Sequence, residues 1–174
     1  MTTLSVLALT MALLSGASGT AAAPSFPLTP LAGPEPRFSW PLSPEPSVTR
    51  SFDAPADEYG AGHRGVDLGA TPGQPVLAAA EGVVVFAGQV GGQEVLSIDH
   101  DGGLRTTYEP VAPTVAPGTQ IFQGQPIGTV APGHPGCPQA ACLHWGVRRG
   151  GEYLNPLALI RTASVIRLKP WNPP

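Results

Sequence analysis

Apolar residues from position 76 onward occur in short runs separated by turn residues. Each run is bounded by Gly, Pro, Asp or other polar residues, which is typical of β-strands and not of helices. The polar segment 99–103 separates two of these runs and predicts a hairpin turn between antiparallel strands. No stretch before Leu157 has a pattern that predicts a helix, so we predict an all-β, or β-rich, fold. The predicted strands are residues 82–87, 94–98, 104–108, 119–122, 126–130 and 142–148.

The first part of the chain has a different pattern. Residues 3–15 are almost all apolar or small and lead into a small-residue stretch at 21–23, which indicates a secretory signal peptide cleaved near that point. No Lys or Arg precedes Arg37, so the usual basic start of a signal is missing. The apolar run is shorter than the roughly 20 residues that span a bilayer. We therefore expect a signal peptide at 1–23, a secreted protein and no stable membrane insertion after cleavage.

Composition predicts where the domain begins and ends. Residues 24–38 hold many prolines and few core-forming side chains, which predicts an extended linker. The domain is predicted to span 39–160, beginning near Trp40, and residues 161–174 form a tail without an assignable pattern. Removal of the signal peptide leaves about 150 residues, which is enough for one domain with a hydrophobic core.

Amino-acid usage and charge narrow the class of function. The 174 residues include 22 Gly and 22 Pro, which disfavours long helices, and charged residues make up only 12%. The net charge is −3 and the chain has no basic run. Nothing in the sequence therefore indicates a nucleic-acid partner.

Three residues form a candidate metal-ligand set. His63 and Asp67 lie four residues apart in a Gly-rich segment, and His144 lies in the apolar run 142–148. Two imidazoles and one carboxylate are a common ligand set for a catalytic zinc ion whose fourth position is left to water. On a regular strand His63 and Asp67 would lie roughly 13 Å apart, at about 3.3 Å per residue, so the backbone must bend between them. Gly65 gives the backbone the freedom to bend.

Further motifs occur in a fixed order around these residues. Gly-His-Arg-Gly-Val-Asp-Leu-Gly at 62–69 is followed by Pro-Gly-Gln-Pro-Val at 72–76. Leu-His-Trp-Gly-Val-Arg at 143–148 is followed by Asn-Pro-Leu at 155–157. This arrangement, over about residues 39–160, resembles the lysostaphin-type (LytM-domain) zinc metallopeptidases, which cut peptide cross-links of bacterial cell walls. The resemblance implies small antiparallel sheets with long loops.

The resemblance also implies a cofactor, a substrate and a location. His63, Asp67 and His144 match the three positions that hold Zn2+ in such peptidases. The implied substrate is a peptide of peptidoglycan, and the implied location is extracellular or associated with the cell wall. Zinc in this setting polarises the scissile carbonyl and lowers the pKa of its bound water.

Two residues depart from the family pattern. The family normally carries a histidine at each of the positions of Cys142 and Pro110, and both histidines are expected to assist catalysis. Tyr108 and Glu109 are the remaining candidates for catalytic roles, Tyr108 as a hydrogen-bond donor to an oxyanion and Glu109 as a base. On a strand Glu109 points away from the face used by Pro110, which argues against its role.

The cysteines and one further histidine lie close to the last predicted strand. Cys137 and Cys142 are predicted to form a disulfide, because an exported chain with an even number of cysteines favours pairing. The alternative makes Cys142 a fourth zinc ligand, which would close the site and make it structural. His134 lies in a Pro/Gly loop, where we expect a solvated side chain, although the loop could bring it to the site. Trp145 is expected in the core.

These observations leave three functions open. The first is a secreted zinc metalloendopeptidase that hydrolyses peptide bonds in peptidoglycan cross-links. The second is a degenerate domain of the same fold that binds the cell wall or regulates a partner hydrolase without cutting, which the residues Cys142 and Pro110 favour. The third is a metal-free β-module, which predicts that His63→Ala leaves thermal stability unchanged with or without zinc.

Overall fold

Two antiparallel sheets make up the structure, a computed structural model that describes residues 38–57 and 60–160. The larger sheet has the strand order β1–β2–β10–β6–β5–β4–β8, with β11 paired to the end of β10, and the smaller has the order β3–β9–β7. The strands are β1 (Val48–Arg50), β2 (Gly65–Ala70), β3 (Pro75–Leu77), β4 (Gly82–Val90), β5 (Gln93–Asp99), β6 (Leu104–Glu109), β7 (Val111–Pro113), β8 (Gln120–Ile121), β9 (Pro126–Val130), β10 (Ala141–Arg149) and β11 (Glu152–Leu154).

The structure confirms the β-rich class and its antiparallel sheets. The six predicted strands correspond to β4, β5, β6, β8, β9 and β10, with small differences in their ends. The strands that were not predicted are β1, β2, β3, β7 and β11. Four of these have three residues, too few to show a period, and β2 is buried along nearly its whole length, so its pattern does not alternate. The helical segments in the described residues are the 3₁₀ helices Asp101–Gly103, within the predicted hairpin turn, and Pro156–Leu159.

The hydrophobic core lies on one face of the larger sheet and is shared with the smaller one. Along β6, buried residues alternate with half-buried ones, and Leu104, Thr106 and Tyr108 are the buried set. Trp145 on β10 is fully buried, as predicted, and Ile127 of the smaller sheet belongs to the same cluster. The opposite face of β2, β10 and β6 is thereby left to polar side chains.

Phe38 and Ile160 join the two ends of the described domain. They form a parallel bridge, and the Phe38 backbone N–H donates to the Leu159 carbonyl oxygen at 2.9 Å. The Phe38 ring is fully buried, with ring centroids 6.1 Å from Trp145 and 5.3 Å from His100. The core therefore extends to the first described residue.

The predicted segments at the two ends of the chain are not part of this description. The signal peptide 1–23, residues 24–37 of the predicted linker 24–38 and the tail 161–174 lie outside the described residues, and these assignments stay predictions. Phe38, the last residue of the predicted linker, belongs to the buried core. Within the part of the chain that the structure describes, no helix has the length and apolar content needed to cross a membrane.

Candidate metal centre

Asp67 and His144 face each other across two neighbouring strands. Asp67 lies on β2 and His144 on β10, and they are direct partners in the antiparallel register. Directly opposed side chains in a sheet point to the same face, with Cβ atoms about 4.5–5.5 Å apart. Because Leu143 and Trp145 on either side of His144 are buried in the core, alternation directs the His144 ring to the other face. The register of the sheet thus brings a carboxylate and an imidazole together.

His63 reaches the same point from the segment that precedes β2. Its backbone N–H donates to the Asp53 carbonyl oxygen at 2.7 Å, and its own carbonyl accepts from the Asp53 N–H at 3.0 Å. The ring Nδ1–H donates to the Ser51 carbonyl oxygen at 2.7 Å, which directs Nε2 toward Asp67. His63 Nε2 lies 2.9 Å from Asp67 Oδ1, so the backbone bends between the two residues as the sequence required.

Gly65 contributes to the site through its small size. It lies within β2 and is not among the glycines with a positive φ, so the bend does not depend on a left-handed backbone at this residue. A Cβ at Gly65 would lie 2.5 Å from the Trp145 carbonyl oxygen and 2.7 Å from His144 Nε2. The absence of a side chain therefore allows the close approach of β2 to β10 beside the His144 ring.

The three side chains present converging donor atoms. His63 Nε2, Asp67 Oδ1 and His144 Nδ1 lie within 4.8 Å of one another. His144 Nδ1 is 2.8 Å from Asp67 Oδ1 and 3.0 Å from His63 Nε2. Ligands bound tetrahedrally to zinc at about 2.0–2.1 Å lie about 3.3 Å apart, so shifts of a few tenths of an ångström would accommodate the ion. The donor types and their spacing fit a zinc site with three protein ligands.

Asp67 has the charge state that a metal ligand needs. Burial by itself would raise its pKa, but the hydrogen bond from His144 and the charges of the nearby imidazoles outweigh burial and hold the pKa of Asp67 below its ordinary value of 3.8. The carboxyl group is therefore ionised at neutral pH. Metal ions bind carboxyl groups in this ionised form.

The expectation of a solvated His134 is wrong. Its side chain is only 12% exposed, and its Nε2 lies 3.1 Å from Asp67 Oδ1. Its ring centroid is 6.2 Å from that of His144. The His134 side chain thus points inward from the Pro/Gly loop, and its imidazole lies beside the candidate ligands.

Tyr108 lies away from the site and is corrected to a structural residue. Its side chain is fully buried in the core, where its hydroxyl oxygen accepts a hydrogen bond from the Ala79 backbone N–H at 3.0 Å. Burial raises the pKa of Tyr108 to about 12. A hydroxyl on the core face of β6 has no access to a substrate on the opposite face, so it cannot stabilise an oxyanion there.

Glu109, in contrast, lies at the site. It is the direct partner of His144 in the pairing of β6 with β10, and both side chains line the same cleft. The prediction that strand geometry directs Glu109 away from the site is wrong, because the face that carries His144 is the face of Glu109. Pro110 is buried beyond the end of β6, where its carbonyl accepts from the Ala131 N–H at 3.0 Å.

Cys137 and Cys142 form the predicted disulfide, with Cα atoms 5.7 Å apart. The Cys142 sulfur is therefore bonded to carbon and sulfur and does not act as a thiolate. The alternative in which Cys142 closes the zinc site as a fourth ligand is wrong for this oxidised form of the chain.

A cleft of about 250 Å³ opens beside the candidate ligands. His144 and Glu109 form one part of its lining, and Arg64, Arg148 and Tyr153 form another. The Arg64 guanidinium lies 5.5 Å from the centre of the Tyr153 ring, a cation–π arrangement. A molecule bound in the cleft would thus contact the His144 imidazole, the Glu109 carboxylate and two guanidinium groups.

The chain is similar in sequence to a peptidase family and to several bacterial proteins. The model of peptidase family M23 matches residues 61–156, more than half of the chain. An uncharacterised protein of Mycobacterium tuberculosis (strain H37Rv) is 50% identical over 140 residues, which cover 78% of this chain and 56% of that protein. The DD-carboxypeptidase/endopeptidase Mpg of Neisseria meningitidis serogroup B is 33% identical over 98 residues, which cover 56% of this chain and 22% of that protein.

The chain spans about half the length of the mycobacterial relative, and a smaller part of Mpg. Among solved structures, a zinc-containing peptidase from Vibrio cholerae has a TM-score of 0.59 and 22% sequence identity, with 71% of this chain and 40% of that chain covered. At this identity the likeness concerns the fold.

Proposed function

Because the chain belongs to peptidase family M23, we propose that it is a secreted zinc metalloendopeptidase that hydrolyses peptide bonds in the cross-links of bacterial peptidoglycan. The observation that carries the proposal is the convergence of His63 Nε2, Asp67 Oδ1 and His144 Nδ1 beside an open cleft. The zinc-containing peptidase of similar fold and the peptidase activities named for Mpg support it.

The residues of the site have separable roles in this reaction. When bound by the three candidate ligands, zinc polarises the scissile carbonyl and lowers the pKa of a coordinated water. The Ser51 carbonyl holds the His63 ring by its Nδ1–H and so keeps Nε2 available as a ligand atom. The Glu109 carboxylate faces the cleft beside His144, where it can accept a proton from water and return one to the leaving amine.

The cleft favours a peptide that carries carboxylates. Arg64 and Arg148 both line it, and guanidinium groups bind carboxylates with paired hydrogen bonds. Peptidoglycan peptides carry free carboxylates close to their cross-links. The charges of the cleft therefore support the proposed substrate class.

Export is supported by two independent features. The apolar segment 3–15 is followed by small residues at 21–23, of the kind found at signal cleavage sites. The disulfide between Cys137 and Cys142 is a bond that persists in oxidising compartments outside the cytosol. Together they support a secreted or cell-wall associated protein.

One observation favours a second function. The Cys142 sulfur is held in a disulfide and residue 110 is a proline, so neither position provides a group that exchanges protons. A domain that holds zinc and binds the cell wall, or regulates a partner hydrolase, without cutting is compatible with these residues. Glu109 supports the peptidase over the second function, because its carboxylate lines the cleft beside His144.

Zinc content and release of new amino groups from purified peptidoglycan test the proposal together. Asp67→Asn removes the ligand charge, and Asp101→Asn makes the same change at an exposed carboxylate in the turn before β6. We expect stoichiometric zinc and amino-group release in the wild type and in Asp101→Asn, and loss of both in Asp67→Asn. Zinc without release would favour the second function, and a wild type that binds no zinc would overturn the proposed site.

A further inference from the structure

His134 contacts the same carboxylate oxygen as the two ligand imidazoles. Its Nε2–H donates to Asp67 Oδ1 at 3.1 Å, and that oxygen is also the atom approached by His63 Nε2 and His144 Nδ1. Only 12% of the His134 side chain is exposed, although its neighbours on either side in the chain are exposed. The ring therefore points inward from an otherwise exposed stretch.

The position of His134 differs from that of a ligand. The atoms that converge within 4.8 Å belong to His63, Asp67 and His144. His134 meets this group through Asp67, and its ring centroid lies 6.2 Å from that of His144. A group that hydrogen-bonds a metal-binding carboxylate from outside fixes the orientation of that carboxylate. His134 is placed to act on a metal ion through Asp67.

A short covalent path joins His134 to the ligand strand. The Cys137 N–H lies 3.4 Å from the His134 carbonyl oxygen, so residues 134–137 form a turn. The disulfide then ties this turn to β10 at Cys142, which is fully buried. Cys142 lies two residues before His144, and residues two apart on a strand share a face. The disulfide thus fastens the loop next to the ligands.

We propose that His134 is a positioning residue of the metal centre and that the Cys137–Cys142 disulfide sets its position. The inference rests on the zinc site of the proposed function. With the disulfide intact, the loop holds the imidazole against Asp67; without it, the loop is released and the carboxylate loses a hydrogen-bond donor. The zinc affinity of the chain therefore depends on the oxidation of two cysteines that are not ligands.

Zinc affinity, measured on the purified chain by competition with a chromophoric chelator, tests the role of His134. His134→Leu removes the donor, and His134→Gln keeps an N–H group on a side chain of similar length. Gln139→Ala is the matched control in the same loop, because Gln139 donates to Ser47 Oγ and not to Asp67. We expect a zinc dissociation constant about 10–100-fold higher for His134→Leu, partial recovery for His134→Gln and a wild-type value for Gln139→Ala.

A second set of variants tests whether the disulfide sets the position of His134. Cys137→Ser combined with Cys142→Ala removes the bond without leaving a thiolate that would itself bind zinc. We expect this double variant to lose about as much affinity as His134→Leu, and His134→Leu to have little further effect in the cysteine-free background. Thermal unfolding of each metal-free variant establishes that it folds.

The outcomes separate the two proposals. A wild-type dissociation constant for His134→Leu would overturn the positioning role while leaving the zinc peptidase intact. If His134→Leu raises the zinc dissociation constant as much in the cysteine-free background as in the wild type, the disulfide does not set the position of His134. A wild-type chain that binds no zinc would overturn the proposed function, and this inference with it.

Discussion

Glu109 and His144 are direct partners across β6 and β10, and both side chains line the cleft. Asp67 lies opposite His144 on its other side, so the three residues form one row across three neighbouring strands. The row places a carboxylate that is not a candidate ligand next to the imidazole of a candidate ligand. In the proposed function, the metal site and this carboxylate act on one substrate.

We expect Glu109→Gln to lower peptide hydrolysis by about 10²–10⁴-fold and to leave zinc binding unchanged, because an amide does not accept the proton of the attacking water. Turnover of a cross-linked peptidoglycan fragment, followed by chromatography, measures the effect. Glu152→Gln makes the same change at an exposed position of β11 and should keep wild-type turnover. Equal turnover in the two variants would place the base elsewhere.

Tyr108→Phe should change stability and not catalysis. Removal of the hydroxyl leaves the buried Ala79 N–H without its acceptor, which costs about 1–3 kcal/mol. Urea unfolding measures this loss, and turnover at a temperature where the variant is folded should equal that of the wild type. A large loss of turnover without loss of stability would return Tyr108 to the catalytic candidates.

Gly65→Ala should destabilise the fold and weaken zinc binding. The added Cβ would lie 2.5 Å from the Trp145 carbonyl oxygen. The backbone of β10 cannot move aside without disturbing the sheet, because β10 lies between β2 and β6. Such overpacking costs about 1–3 kcal/mol. Gly151→Ala is the matched control, because a Cβ there meets no atom within 4 Å. Equal unfolding midpoints for the two variants would contradict the inference that Gly65 is needed for the close approach of β2 to β10.

His100 makes the stability of the fold depend on pH. Its Nδ1–H donates to the Glu81 carbonyl oxygen at 2.6 Å, and its Nε2 accepts from Thr106 Oγ1 at 2.7 Å. Burial lowers the pKa of His100 below 6.5, more than the bond to Glu81 raises it. The unfolded chain takes up this proton near pH 6.5 and the folded chain only at lower pH, so the free energy of unfolding decreases as pH falls below about 6.5.

Urea unfolding between about pH 7.5 and pH 5, with a chelator present to exclude metal binding, measures this dependence. We expect the free energy of unfolding to fall less steeply with acid in His100→Gln than in the wild type, because no proton is taken up at residue 100. Parallel slopes for the two proteins would show that His100 does not contribute.

The grouping of His63, Asp67 and His144 could be predicted from sequence, whereas the position of Glu109 could not. The order of the surrounding motifs, and their resemblance to a known family, carried that prediction more than the short spacing of His63 and Asp67. The face to which Glu109 points depends on the register of β6 against β10, and a shift of one residue exchanges the two faces of a strand. No local pattern specifies that register.

His134 was missed for a related reason. The path of its loop depends on contacts with distant parts of the chain. Gln93, 40 positions earlier in the chain, donates to the carbonyl oxygen of Gly133, the residue before His134. A Pro/Gly-rich composition predicts a loop but gives no direction for its side chains. The inward turn of His134 therefore becomes visible only once the sheet and the disulfide are in place.

The bridge between Phe38 and Ile160 has a consequence for protein engineering. Because these two residues are adjacent, a short linker can join them, and the chain can be opened at another turn while every strand pairing is kept. The exposed turn at Gly91 and Gly92, between β4 and β5, is a suitable opening. The new termini of such a circular permutant lie close together, so the whole domain, with its candidate metal centre, can be inserted into a loop of an unrelated host protein.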